Sequence, residues 1–144
     1  MNNKRNILHL MFVLVAQLRR DFKEFLIDYD LTEMEAKFIL FIGEGFNETA
    51  QLIERFKKHK STIRQKTRSL EEKGYVTTTS GTVDKRERIV VLTDKGNSFY
   101  TEMKKAELEY HNQVFKNFSQ KDQKELVKLL GKIEITQNYD YDVC

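Results

Sequence analysis

Between Lys57 and Arg68 the chain carries six Lys or Arg side chains (57, 58, 60, 64, 66 and 68) and no Asp or Glu. Cations interleaved with hydrogen-bonding groups suit the recognition of a polyanion that also displays donors and acceptors. Lys60, Ser61, Thr62, Arg64, Gln65 and Arg68 form the polar face of a helix here, with no carboxylate before Glu71. A helix of this size fits the major groove of duplex DNA, where each base pair shows its own donor and acceptor pattern. Arg64 can take a guanine edge with two hydrogen bonds, and Gln65 an adenine. Lys57, Lys58, Lys60 and Lys66 suit phosphates, which hold register but carry no sequence information. His59, in the turn before the helix, completes this set of candidate DNA contacts. In isolation such a run reads more readily as a solvated helix face, so its surroundings decide.

A second cationic group, Lys85, Arg86 and Arg88, lies where the sequence changes period. Tyr75–Thr79 is β-branched and aromatic, Ser80–Asp84 reads as a loop that includes Gly81, and Arg88–Leu92 is a second strand. The two strands form a hairpin with Lys85 and Arg86 at its tip, where a cation can enter the narrow, electronegative minor groove. Asp84, two residues before Arg86, can hold the guanidinium or shape the loop. Thr93 caps the helix that follows, and Gly96 lies in its first turn.

The elements that must position these groups follow from apolar spacing. A first helix runs from about Arg5 to Ile27, with Leu8, Phe12, Val15, Leu18, Phe22 and Phe25 at three- and four-residue steps. Thr32 and Glu35 make a capping box for a second helix, with Leu31 stapled onto Ala36 and a stop at Gly43-Glu44-Gly45. Asn47 caps a third, about Glu48 to Phe56. A tight turn leads to the fourth, about Lys60 to Lys73, whose apolar face (Ile63, Thr67, Leu70) is thin. After the hairpin, a fifth helix runs to roughly Asn117, and a sixth begins at Ser119. The fold class is mainly α with a small β-hairpin wing: a winged helix-turn-helix in the order α-α-α-α-β-β-α-α.

The 144 residues, 40% hydrophobic and 33% charged, suffice for one domain with a true core. The net charge of +3 is modest; its concentration on one face carries the information. Without proline and with six glycines, the chain allows long helices and offers no flexible linker. The single thiol, Cys144, cannot form an intramolecular disulfide, which fits a reducing, cytoplasmic setting. The apolar run Leu10–Ala16 is too short for a bilayer and continues at helical spacing past its charges, so no signal peptide or membrane partner is expected. Phosphate loops, nucleophile elbows and paired metal motifs are absent, so neither an enzyme nor a metal site nor a cofactor is expected. Glu107 and His111 share a helix face but read as solvated.

Asp84, Arg86, Val90, Leu92, Thr93 and Gly96 match the wing signature Asp-x-Arg-x-x-x-(Val/Ile)-x-Leu-Thr-x-x-Gly. Together with Ser61-Thr62-Ile63 and Leu70-Glu71-Glu72-Lys73-Gly74-Tyr75-Val76, they give the chain a sequence that resembles the MarR family of bacterial transcription regulators. The resemblance implies one MarR-like domain over residues 1–144, with a DNA-binding head (31–92) flanked by dimerisation helices (1–30 and 93–144). It further implies a two-fold homodimer in which the first, fifth and sixth helices of both chains interlock. The apolar content of those helices independently exceeds what one small head can cover. Phe12, Phe22, Phe25, Phe115, Phe118 and Leu130 are the residues expected at that interface. Two recognition helices in successive major grooves call for a pseudo-palindromic operator.

The expected function is therefore a sequence-specific, DNA-binding transcriptional regulator: an effector-responsive repressor with double-stranded DNA and a second copy as partners. The resemblance adds a small aromatic effector, although Phe, Tyr and Met stripes of this kind are more often core. Peroxide sensing is disfavoured, because the family's usual sensing cysteine near the N-terminus has no counterpart. Three positions depart from the pattern. Lys58 stands at a usually apolar turn position, Lys66-Thr67 at a usually apolar pair, and His59 where a serine often caps the recognition helix. The basic fourth helix is also similar to that of SarA-like regulators, which leaves open a regulator without a small-molecule effector. A winged helix that binds protein instead of DNA is the other alternative.

Overall fold

The computed structural model describes residues 3–81 and 86–134, with side chains from residue 6 onward outside that gap. Asp84 and Lys85 lie outside the described residues. The order is α1 (Asn3–Leu26), α2 (Glu33–Gly43), α3 (Thr49–Phe56), α4 (Lys60–Glu72), β1 (Val76–Ser80), β2 (Arg88–Leu92), α5 (Asp94–Val114) and α6 (Gln120–Leu130). A 3-10 turn over Ile27–Tyr29 ends α1 slightly earlier than its spacing predicts, and Asp30 leaves it in the left-handed region at φ 51°.

Local chemistry explains most boundaries. The Thr32 hydroxyl accepts the Glu35 amide at 3.2 Å and the Glu35 carboxylate accepts the Thr32 amide at 3.4 Å, so the expected capping box starts α2. The start of α3 differs from expectation: its cap is Glu48, whose amide donates to Gln51 Oε1 at 3.1 Å, and not Asn47. The cause is tertiary. The Asn47 carbonyl accepts the Val90 amide at 2.8 Å and Glu48 bridges Ile89, which holds this segment extended against the wing for one residue more.

Helix α4 ends in a Schellman motif. Gly74 adopts φ 83°, the Tyr75 amide returns to the Leu70 carbonyl at 2.9 Å, and the Gly74 amide to Glu71 at 3.0 Å. Because Tyr75 serves the helix end, β1 begins one residue later than its sequence suggests. The hairpin is antiparallel, with Val76 opposite Leu92 and Ser80 opposite Arg88.

Thr93 caps α5 by accepting the Gly96 amide at 3.2 Å. A Cβ at Gly96 would stand 2.1 Å from the Tyr75 carbonyl oxygen, so only glycine lets α5 start this close to the wing. Helix α5 stops at Val114, short of Asn117, and a turn over 115–118 stacks Phe118 edge-on against Phe115. Ser119 and Asp122 then form a capping box for α6.

The core is built mainly on residues 31–92, with Leu26 of α1 and Phe99 of α5 completing it. Phe38 and Ile39 of α2, Leu52 and Phe56 of α3, Ile63 and Leu70 of α4, Val76 and Val90 of the strands, and Phe99 of α5 are fully buried. Phe38 stacks on Phe56 at 4.5 Å between centroids, and Phe41 meets Phe56 edge-on at 5.1 Å. Among the described residues, no helix is long and apolar enough to cross a membrane, and no three His, Cys, Asp or Glu side chains cluster to hold a metal.

Candidate nucleic-acid interface

Helix α4 presents two unlike faces. Ile63 and Leu70 are fully buried, whereas His59, Lys60, Ser61, Arg64, Gln65 and Arg68 are exposed and Thr62 is half-buried. The His59 side chain makes no capping bond; its carbonyl accepts the Thr62 and Ile63 amides instead. Thr67, at a position where the resemblance implies an apolar residue, donates its hydroxyl to the Ile63 carbonyl at 2.9 Å. That back-bond satisfies the hydroxyl inside its own helix and lets a polar residue occupy a half-buried site.

The wing joins this face. Lys60 and Arg64 of α4, Arg86 before β2 and Arg88 within it line one open groove, whose floor holds Thr49, Ala50 and Ile53 of α3. Glu48 and Glu87 also border it, which leaves four cations against two carboxylates. A concave surface lined mainly by one sign of charge concentrates potential toward a polyanion. The groove is held by backbone: the Val90 amide donates to Asn47, the Thr49 hydroxyl to the Arg88 carbonyl at 3.3 Å, and the buried Gly81 amide to the Glu87 carbonyl at 2.8 Å.

The other end of α4 holds a part-buried ion pair that sequence reasoning missed. Glu35 is 3% exposed and accepts the Lys73 ammonium at 2.9 Å and the Ser69 hydroxyl at 3.1 Å. Lys73 also donates to the Asp30 carbonyl at 2.7 Å, and the hydrogen bond to Glu35 raises its pKa above the ordinary lysine value. Lys95 donates to the Lys73 carbonyl at 2.7 Å and lies over the Tyr75 ring. Tyr75, whose phenol is pushed up by burial, donates to the Tyr29 carbonyl at 2.9 Å. The only sequence signal was Glu35 in a capping box, which pointed to a helix start and hid its second partner.

No family profile matches the sequence, and no curated protein does. Solved structures do match. The MarR protein of Peptoclostridium difficile superposes with a TM-score of 0.74 over 88% of this chain and 84% of its own, at 24% identity. Streptococcus pneumoniae FabT, solved in complex with DNA, gives 0.78 over 90% and 93%, at 19% identity. A MarR variant from E. coli, complexed with operator DNA, gives 0.70 over 86% and 90%, at 21% identity. This is the MarR-type winged-helix fold.

Within the MarR-type fold the six residues expected at a dimer interface divide. Phe22 and Phe25 pack on the head's own core, Phe25 with its ring 5.3 Å from Tyr29 and 6.3 Å from Phe99. Phe115 is half-buried against His111 and Phe118. Phe12, Phe118 and Leu130 are exposed, Phe12 by 75%. The Tyr110 hydroxyl donates to Asp21 at 2.6 Å and ties α5 to α1.

Proposed function

We propose that the chain is a sequence-specific DNA-binding transcriptional regulator that acts as a homodimer on a pseudo-palindromic duplex. One observation carries the reading: Lys60 and Arg64 of the helix-turn-helix share a groove with Arg86 and Arg88 of the wing. Arg64 and Gln65 read base edges, Lys60 and Arg68 meet phosphates, and Arg86 enters the minor groove beside the wing. Two of the similar structures are themselves complexes with DNA.

The second copy is supported by exposed apolar surface. Leu8, Met11, Phe12, Val15 and Leu18 of α1 and Val127, Leu129 and Leu130 of α6 face solvent in the single chain. Exposed apolar helix faces of this extent mark an interface.

The regulator is a repressor responsive to a small aromatic effector. A cleft lined by Tyr29, Tyr75 and Phe99 supplies aromatic walls, with Asp28, Asp30 and Glu102 outnumbering Lys95. Since Lys95 already donates to a backbone carbonyl, an uncharged or cationic aromatic suits the cleft better than an aromatic acid. Duplex affinity in the presence of matched neutral and carboxylated aromatics tests this; release only by the acids contradicts it.

The DNA reading is tested by fluorescence anisotropy over a salt series. Roughly six to ten phosphate contacts per dimer give a log–log slope of about −5 to −9. A flat response contradicts DNA binding and favours the protein-binding alternative.

A further inference from the structure

The basic face of α4 can read DNA only if its rotation about the helix axis is fixed, and apolar packing fixes it poorly. Ile63 and Leu70 are the buried residues of this 13-residue helix. Seven positions apart at roughly 100° per residue, they point in nearly the same direction and define a line. A helix seated on one line of contact is free to roll about it. Thr67, between them, directs its hydroxyl back into its own helix.

What resists rolling lies on one flank. Ser69 and Lys73, four residues apart, project to the same side of α4, away from Arg64 and Arg68. Both reach one acceptor, the carboxylate of Glu35, at 3.1 and 2.9 Å. That carboxylate is immobilised in turn, because it closes the α2 capping box through the Thr32 amide. The link extends outward. Lys73 Nζ donates to the Asp30 carbonyl after α1, and Lys95 of α5 donates to the Lys73 carbonyl. The exposed Thr78 hydroxyl donates to Glu71 and adds a weaker tie to β1.

We propose that Glu35 is a positioning residue for DNA recognition: through Ser69 and Lys73 it sets the roll of α4 and so the aim of Arg64, Gln65 and Arg68. The proposal rests on the DNA-binding reading above. An ion pair with one buried partner is weak evidence for stability, since desolvation of the buried charge offsets much of the attraction. A pair at this place is better explained by a geometry that only directed bonds supply.

The property that separates the two roles makes the test. In Glu35→Met/Lys73→Met the pair becomes apolar and no buried charge is stranded. Its affinity is measured for a duplex that the wild-type chain selects from a randomised pool, and for a scrambled duplex of equal composition. The expected result is a folded protein whose unfolding midpoint falls modestly, because the Thr32 amide and the Asp30 carbonyl lose partners, with an unchanged salt slope and about tenfold less preference for the selected duplex, the size of one misaimed bidentate base contact. Glu35→Gln keeps one acceptor oxygen where the carboxylate uses two, one for Ser69 and the other for Thr32 and Lys73; it gives a loss in the same direction and serves if the double variant does not fold. Undiminished preference in either folded variant overturns the proposal, as does an equal loss on both duplexes. A wild-type chain that binds neither duplex overturns the DNA reading and this proposal with it.

Discussion

Helices α4 and α6 are close in length, but the same chain treats them differently. Ile63 and Leu70 of α4 are fully buried in the head. In α6 no residue is buried, and Val127, Leu129 and Leu130 are 71%, 53% and 51% exposed. The first half of α1 behaves like α6, with Phe12 mostly in solvent. The head thus completes its own core, while the terminal helices carry an apolar face that one copy leaves open. Stability in the head should be intrinsic, and stability at the terminal helices should depend on association.

The largest test of that contrast is Phe38→Ala, which removes a fully buried ring stacked on Phe56. A loss of about 3–5 kcal/mol is expected in urea unfolding, independent of protein concentration. Leu130→Ala should instead cost stability only where the protein is associated, and its effect should vanish on dilution into the monomer range. A concentration-independent Leu130 effect would erase the distinction between the two regions.

Gly96→Ala probes the seam where the head meets α5. The added methyl would meet the Tyr75 carbonyl, a backbone atom that cannot swing aside. Overpacking of this sort costs about 1–3 kcal/mol, and a thermal midpoint equal to wild type would show that α5 can retreat from the wing.

The α4 clamp should show itself at alkaline pH. Lys73 has a pKa raised by its bond to Glu35, so the folded state holds that proton more tightly than the unfolded chain. Its contribution is complete below the ordinary lysine value of about 10.4 and is lost as pH rises through the higher folded value. Tyr75, raised by burial, acts with the same sign. Urea midpoints should therefore fall above about pH 10, and less steeply in Glu35→Met/Lys73→Met. Equal slopes would remove Lys73 from the account.

The smallest effect is expected at Lys57, which ends α3 in the left-handed region at φ 51°. A non-glycine residue there is strained by about 1 kcal/mol, so Lys57→Gly should raise stability by up to that amount. Duplex affinity should fall slightly with the lost cation. A destabilised Lys57→Gly would mean that the lysine stem packs in the helix-turn-helix turn.

Much of this was readable from residue spacing. The winged helix-turn-helix order, the Thr32, Thr93 and Ser119 helix starts and the polar face of α4 follow from short-range rules, and short-range rules survive folding. The errors arise where tertiary contacts compete with them. Asn47 is drawn onto the wing and yields its cap to Glu48, and Tyr75 closes α4 instead of opening β1. Phe22 and Phe25 belong to the stripe expected to face a second copy, and in the single chain both also pack against the core, Phe25 on Phe99 and Tyr29. The Glu35–Lys73 pair spans 38 positions, and no local spacing announces it.

The central claim, that the groove between α4 and the wing binds duplex DNA, is tested most directly by emptying it of charge. Lys60→Ala/Arg64→Ala/Arg86→Ala/Arg88→Ala should keep its thermal midpoint, since Lys60, Arg64, Arg86 and Arg88 are all exposed. Its salt slope for duplex binding, measured by anisotropy beside the wild type, should flatten by about 1 for each phosphate contact removed. A folded variant that binds duplex DNA with wild-type affinity and slope would contradict the account.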